Sequence, residues 1–185
     1  MAMAPPYDAR AIANLLLDLA AEINFPLTQM SILKLIYFAH GWYLARWNRP
    51  LIFQEFEAWQ YGPVIKVVRD EFKRFGDGEI TDRAQKLDLH LGKRSVVNTD
   101  LLEEDVKFVA AIFSAYHVYD AWQLSELTHE RDSPWDRVWN ASEPVGRMAL
   151  RLRNEDIRNH FASLSKSASR FRERYTGDTA LCLLP

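Results

Sequence analysis

The sequence predicts a mainly α-helical single domain: a compact bundle of about six or seven helices with a small antiparallel β element. Three observations predict it. Apolar residues recur at helical spacing along most of the 185 residues. Capping residues, among them Asp8, Thr28, Asp100 and Ser133, stand just before those runs. Strand-like patterning is confined to short stretches between Leu51 and Val97.

Asp8 is placed to cap a first helix from about Ala9 to Glu22, with Ile12, Leu15, Leu16 and Leu19 at helical spacing. Asn24-Phe25-Pro26 breaks it. Thr28 then caps a second helix, from about Gln29 to Arg46, and such a cap contributes about 1 kcal/mol. Leu33, Tyr37, His40 and Leu44 share one stripe of this helix, and Phe38 and Trp42 fall on another. A helix apolar over so much of its circumference is expected to be central and buried.

Asn48-Arg49-Pro50 reads as a turn, and Leu51 to Phe53 and Phe56 to Gln60 as short strands. Gly62-Pro63 is expected to open a third helix, with the proline at its first position. That helix runs to about Phe75, buries Val64, Val68 and Phe72, and is ended by Gly76. Leu87, Leu89 and Leu91 alternate with polar residues, a half-buried strand expected to pair with Val96-Val97 across Gly92-Lys93.

Asp100 with Glu103 resembles a capping box for a helix with Leu102, Val106, Val109, Phe113 and Tyr116 on one stripe. A shorter helix is expected from about Ala121 to His129. Ser133-Pro134 starts another, with serine at N-cap, proline at N1 and Asp136 at N3, and places Trp135 and Trp139 one turn apart. The last helix begins near Asn154 and extends to Tyr175, with Ile157, Phe161, Leu164, Ala168, Phe171 and Tyr175 at alternating steps of four and three.

Hydrophobic content of 48% and charged content of 26% are ordinary for a soluble globular protein. The net charge of -2 gives no global signature for nucleic acid, which is not an expected partner. A single cysteine, Cys182, rules out an internal disulfide and any cysteine-based zinc cluster. The start, MAMAPPYDAR, lacks the pattern of a signal peptide, and the longest apolar run is shorter than the roughly 20 residues of a membrane span. Cytoplasmic location without a membrane partner is the expectation.

Charge is uneven along the chain. Eight basic and three acidic residues lie between Arg147 and Arg174, a balance of +5, so the remainder carries -7. The basic residues there, Arg170, Arg172 and Arg174 among them, form either a solvated helix face or a contact surface. Lys66, Arg69 and Lys73 on the third helix admit the same two readings.

No chemistry-bearing motif is complete. None of the five histidines forms the i, i+4 pair of a helical zinc site, and no HExxH is present. No GxSxG and no phosphate-binding loop occur. No catalytic residue, cofactor or metal is therefore expected. His40 reads as a core histidine bonded to backbone or to a tyrosine hydroxyl. The rival is a hydrolase in which His40 and His129 converge with a carboxylate in a polar cleft.

Three segments carry the most specific pattern: LKLIYFAHGWYLA from Leu33, EAWQYGPVIKVVRDEF from Glu57, and LSELTHERDSPWDRVW from Leu124. In this order and at these separations they resemble the Panacea domain, the family of SocA-like and phage-associated GepA-like proteins. The resemblance covers roughly residues 7–161, leaving 162–185 as a C-terminal helix extension and tail. Tyr37, His40, Gly41, Trp42, Trp59, Gly62, Pro63, His129, Pro134 and Trp135 match as a fold signature, and the family offers no agreed active-site residues to carry over.

The resemblance implies a non-enzymatic antitoxin that binds a protein toxin encoded nearby. SocA-like members act as proteolytic adaptors that deliver the toxin to the ClpXP protease. Lys66, Arg69, Lys73, Arg170, Arg172 and Arg174 are the candidate partner-binding residues. A DNA-binding regulator of its own operon is the other alternative, and the oligomeric state is left open.

Overall fold

The computed structural model describes residues 4–88, 92–143, 147 and 150–175, with side chains described to Lys166. In chain order the elements are α1 (Ala9–Glu22), α2 (Gln29–Trp47), β1 (Phe56–Trp59), β2 (Gly62–Val64), α3 (Lys66–Phe72), a 3₁₀ turn (Lys73–Phe75), β3 (Gln85–Asp88), β4 (Lys93–Val96), α4 (Glu103–Tyr116), α5 (Ala121–Thr128), α6 (Pro134–Asn140), β5 (Arg151–Leu152) and α7 (Asn154–Tyr175). The fold is mainly α, with seven helices among the described residues and two small antiparallel sheets.

Helix α2 is the axis of the molecule. Thr28 caps it, its side chain accepting from the Ser31 amide at 3.3 Å. Asn48 ends it in the left-handed conformation, at φ 54°. Every residue from Ser31 to Leu44 is buried, as the apolar circumference predicts. α1, α3, α4, α5 and α7 all pack on α2. Asp8 caps α1 as expected, accepting from the Arg10 amide at 3.0 Å.

The closest helix approach is between α2 and α7, and Gly41 permits it. The Phe161 ring of α7 lies over this glycine, edge-on to Tyr37 and Trp42 at 5.7 and 5.1 Å between centroids. α7 runs without interruption past Phe161.

Four local expectations change. Pro63 does not open α3 but lies in β2, opposite Ala58 of β1. The sheet order is β2-β1-β5, so β2 is an edge, where a residue lacking an N–H costs no ladder bond. Of the stretch Leu51 to Phe53, only Ile52 pairs, as an isolated parallel bridge with Tyr7.

The β3–β4 hairpin forms, yet it is not half-buried: Leu87 and Val96 are 52% and 54% exposed. Leu89 and Leu91 lie outside the described residues. The hairpin is tied down at its base instead. Asn14 of α1 donates to the carbonyls of Ala84 and Val97 and accepts from the Ala84 amide at 2.7 Å.

The capping box at Asp100 is absent. The N-cap of α4 is Leu102, whose amide donates to the Tyr7 hydroxyl at 3.2 Å. That hydroxyl donates in turn to buried Asp105, at 2.5 Å. A side chain 95 positions away thus satisfies the amide of the N-cap residue, and α4 starts without a side-chain cap. A capping box does occur before α5, between Asp120 and Gln123.

Candidate functional site

The signature residues come from three separate elements, and the structure brings many of them to one corner. α2 contributes Lys34, 1% exposed, whose ammonium donates to the Pro63 carbonyl at 3.1 Å. Burial pulls its pKa down to about 7. The β1–β2 turn contributes Gly62, at φ 97°. A Cβ on Gly62 would collide with the Thr128 hydroxyl and with Lys34 Nζ, the latter at 2.7 Å. Only glycine combines that backbone angle with that closeness.

The α5–α6 corner closes the arrangement. Thr128 Oγ1 donates to the Ser125 carbonyl at 2.7 Å, and Ser133 Oγ donates to the Thr128 carbonyl at 2.9 Å. Ser133 caps α6 by accepting from the Asp136 amide, and Pro134 stands at the first helical position, as the sequence predicts. Trp135 Nε1 donates to the Trp59 carbonyl at 2.7 Å, binding α6 to β1. His129 packs on Trp135 at 3.8 Å between centroids, and Trp139 stacks on Trp135 at 5.6 Å. Trp42 belongs to a different cluster, donating to the Tyr116 hydroxyl at 2.9 Å.

His40 and His129 do not share a cleft. His40 is fully buried against Phe56, and its Nε2 pairs with Asn154 Oδ1 at 2.9 Å at the start of α7. Burial lowers its pKa to about 4, keeping it neutral. The expected partner, backbone or tyrosine, is thus replaced by an asparagine side chain. His129 is held low by burial and then by the nearby Lys34 charge. Neither imidazole is hydrogen-bonded to a carboxylate. Among the described residues, no group of three or more His, Cys, Asp and Glu side chains is placed to hold a metal ion.

Three buried polar atoms have no hydrogen-bond partner among the described residues: the Tyr37 hydroxyl, His40 Nδ1 and His129 Nε2. Tyr37 faces a cavity of about 110 Å³ also lined by Thr128, Glu130, Ser133 and His160. A shallower groove of about 360 Å³ runs between α2 and α7, past Trp42, Arg46 and Lys166.

Of the basic residues of α3, Lys66 is exposed and Arg69 half-buried, and both are partly neutralised. Lys66 and Arg69 both pair with Asp70, at 2.8 and 3.2 Å, and Arg69 also lies 5.2 Å from the centroid of the Trp59 ring. Lys73, on the 3₁₀ turn, is exposed. Arg170, Arg172 and Arg174 lie on the α7 backbone, with side chains outside the described residues.

Sequence reasoning read Trp122 as a candidate to join Trp135 in the packed corner, but it is 61% exposed, and did not single out Lys34 as a buried charge. Lys34 was legible as the lone charge inside the apolar run Ile32 to Ala39. Trp122 was legible as an aromatic residue off the stripe that Leu124 and Leu127 define on α5.

The family model described as antitoxin SocA-like, Panacea domain, matches residues 32–136, more than half of the chain. The chain belongs to that family. Antitoxin SocA of Caulobacter vibrioides (strain NA1000 / CB15N) is 35% identical over 162 residues, 88% of this chain and 86% of that protein. No solved structure matches the chain. No helix among the described residues is long and apolar enough to cross a membrane.

Proposed function

We propose that this protein neutralises a toxin by binding it directly, and that it then acts as a proteolytic adaptor delivering the toxin to ClpXP. The observation that carries this reading is the 35% identity to an antitoxin over 88% of the chain. The role is non-enzymatic, and the setting is the cytoplasm. In this reading residues 7–161 form the antitoxin module and 162–185 an extension. Tyr37, His40, Gly41, Trp42, Trp59, Gly62, Pro63, His129, Pro134 and Trp135 hold the frame. Lys66, Arg69 and Lys73 of α3, with Arg170, Arg172 and Arg174 of α7, contribute cationic contacts to the partner.

The test is co-expression of this chain with the product of the adjacent gene. Growth arrest by that gene alone, relieved by this chain, is the expected result. Toxin half-life, compared in cells with and without ClpXP, separates delivery from simple inhibition. An adjacent product that is harmless alone, or equally toxic with this chain present, overturns the reading. Charge reversal of Lys66 and Lys73, or of Arg170, Arg172 and Arg174, weakens the complex if those residues touch the partner. Unchanged affinity removes them from the interface.

A further inference from the structure

The start of α5 carries an exposed aromatic pair. Trp122 at the start of α5 is 61% exposed and Tyr61 in the β1–β2 turn is 51% exposed. The two rings meet edge to face, 5.6 Å apart at 90°. Val118 and Tyr119, just before α5, are 69% and 40% exposed. Isolated exposed apolar residues need no explanation, but four clustered around one helix start mark a contact surface.

The patch is held rigid from beneath. Buried Ser125 donates its hydroxyl to the Tyr61 carbonyl at 3.0 Å, fixing the turn on α5. Next in the chain is Gly62, wedged against Thr128 and Lys34. Asp120 accepts from the Trp122 amide at 2.8 Å as part of the capping box, fixing the tryptophan's backbone. Large aromatic rings on a fixed frame lose little entropy on binding and are the residue types that dominate interface energetics.

Along the segment that carries Trp122 the charge has one sign. Between Lys107 and Arg131 the chain carries no lysine or arginine, and three carboxylates, Asp120, Glu126 and Glu130. All three are exposed. Glu126 is four residues from Trp122 on α5 and so shares its face.

We propose that Tyr61, Val118, Tyr119 and Trp122 form the anchor for a protein partner that brings arginine or lysine to this face; on the antitoxin reading above, on which this rests, that partner is the toxin. A cationic side chain laid over Trp122 or Tyr61 gains from the ring face and from Glu126 together. The alternatives fit the charge poorly. A symmetric pairing of two copies would set Asp120 and Glu126 against their own images. A nucleic acid would meet carboxylates with its phosphates.

The probe is the purified product of the adjacent gene, titrated against the full chain at two salt concentrations. Trp122→Ala is expected to weaken binding about tenfold or more. Glu126→Lys is expected to weaken it severalfold and to reduce its salt sensitivity. Glu103→Lys is the control, roughly 20 Å away along α4, and is expected to bind as wild type. Thermal melts of all variants should match the wild type, because each side chain is exposed.

Wild-type affinity in both Trp122→Ala and Glu126→Lys overturns the proposal while leaving the antitoxin reading intact. Loss of affinity in Glu103→Lys equal to that in Glu126→Lys also overturns it. No binding by the wild type overturns the reading itself and the toxin assignment with it.

Discussion

Replacing Gly41 by alanine tests the packing at the centre of the fold. A methyl group there would sit inside contact distance of three Phe161 ring carbons, Cε2, Cδ2 and Cζ, the last at 2.6 Å. Phe161 is 1% exposed and packed against Tyr37, Phe38 and Trp42, so its ring can yield only toward the cavity of about 110 Å³ that it helps to line. Overpacking of this kind costs about 1–3 kcal/mol, and three simultaneous overlaps belong at the upper end. The better helix propensity of alanine returns about 1 kcal/mol. The net expectation is a loss of about 2 kcal/mol, or about 4–8 °C in melting temperature for a chain of this size. Urea unfolding followed by far-UV circular dichroism measures it. Adding Phe161→Leu to Gly41→Ala should recover part of the loss, giving a coupling between the two sites. If Gly41→Ala is as stable as the wild type, the contact between α2 and α7 is looser than described and the argument from Gly41 fails.

Three further outcomes follow from buried polar groups and from the β1–β2 turn. Gly62→Ala should destabilise by about 2 kcal/mol or more, because φ 97° and the collision with Lys34 Nζ and Thr128 both oppose a Cβ; a melt within a degree of wild type refutes this. Asp105→Ala should cost about 2–4 kcal/mol in urea unfolding, since the Tyr7 and Tyr43 hydroxyls both donate to that buried carboxylate, at 2.5 and 2.9 Å. Asp105→Asn, which retains an acceptor, should cost less, and equal losses in the two variants contradict the account.

The third outcome concerns pH. The Lys34 amine has a folded pKa near 7 against an ordinary 10.5, so above pH 7 the unfolded chain binds the extra proton and stability rises with pH. Below pH 7 both states are charged and the full burial penalty remains. Lys34→Met should flatten the rise in urea midpoint between pH 7 and 9, and an unchanged slope removes Lys34 as its cause. Ionisation of Tyr7, Tyr37 and Tyr43, all shifted upward by burial, opposes the rise only above about pH 10.

Much of the helical frame was legible because its causes are local. Asp8, Thr28 and Ser133 cap as the sequence indicates, since a capping side chain reaches only two or three residues ahead. Asp100 fails that rule because Tyr7 arrives from elsewhere in the fold and takes the end of α4. Pro63 fits a helix start or an edge strand equally well, and pairing with β1 decided the matter. The alternation of Leu87, Leu89 and Leu91 announced a strand without saying whether anything would cover Leu87.

The candidate surfaces show the same division. The motif residues of α2, the β1–β2 turn and the α5–α6 corner identify the family from the sequence, yet that pattern does not say that Lys34, Gly62 and Thr128 meet. Nor does it show that Trp122 stays in solvent beside Tyr61, or that Asp70 takes up the charge of both Lys66 and Arg69. By itself the sequence determined most of the helices, the caps at Asp8, Thr28 and Ser133, the central place of α2 and the kinship with SocA-like antitoxins, because periodicity and capping act over a few residues. Only the tertiary structure decided which polar groups are buried, which distant hydroxyl meets the start of α4 and which aromatic rings remain free to meet a partner, because those outcomes depend on contacts between residues tens of positions apart.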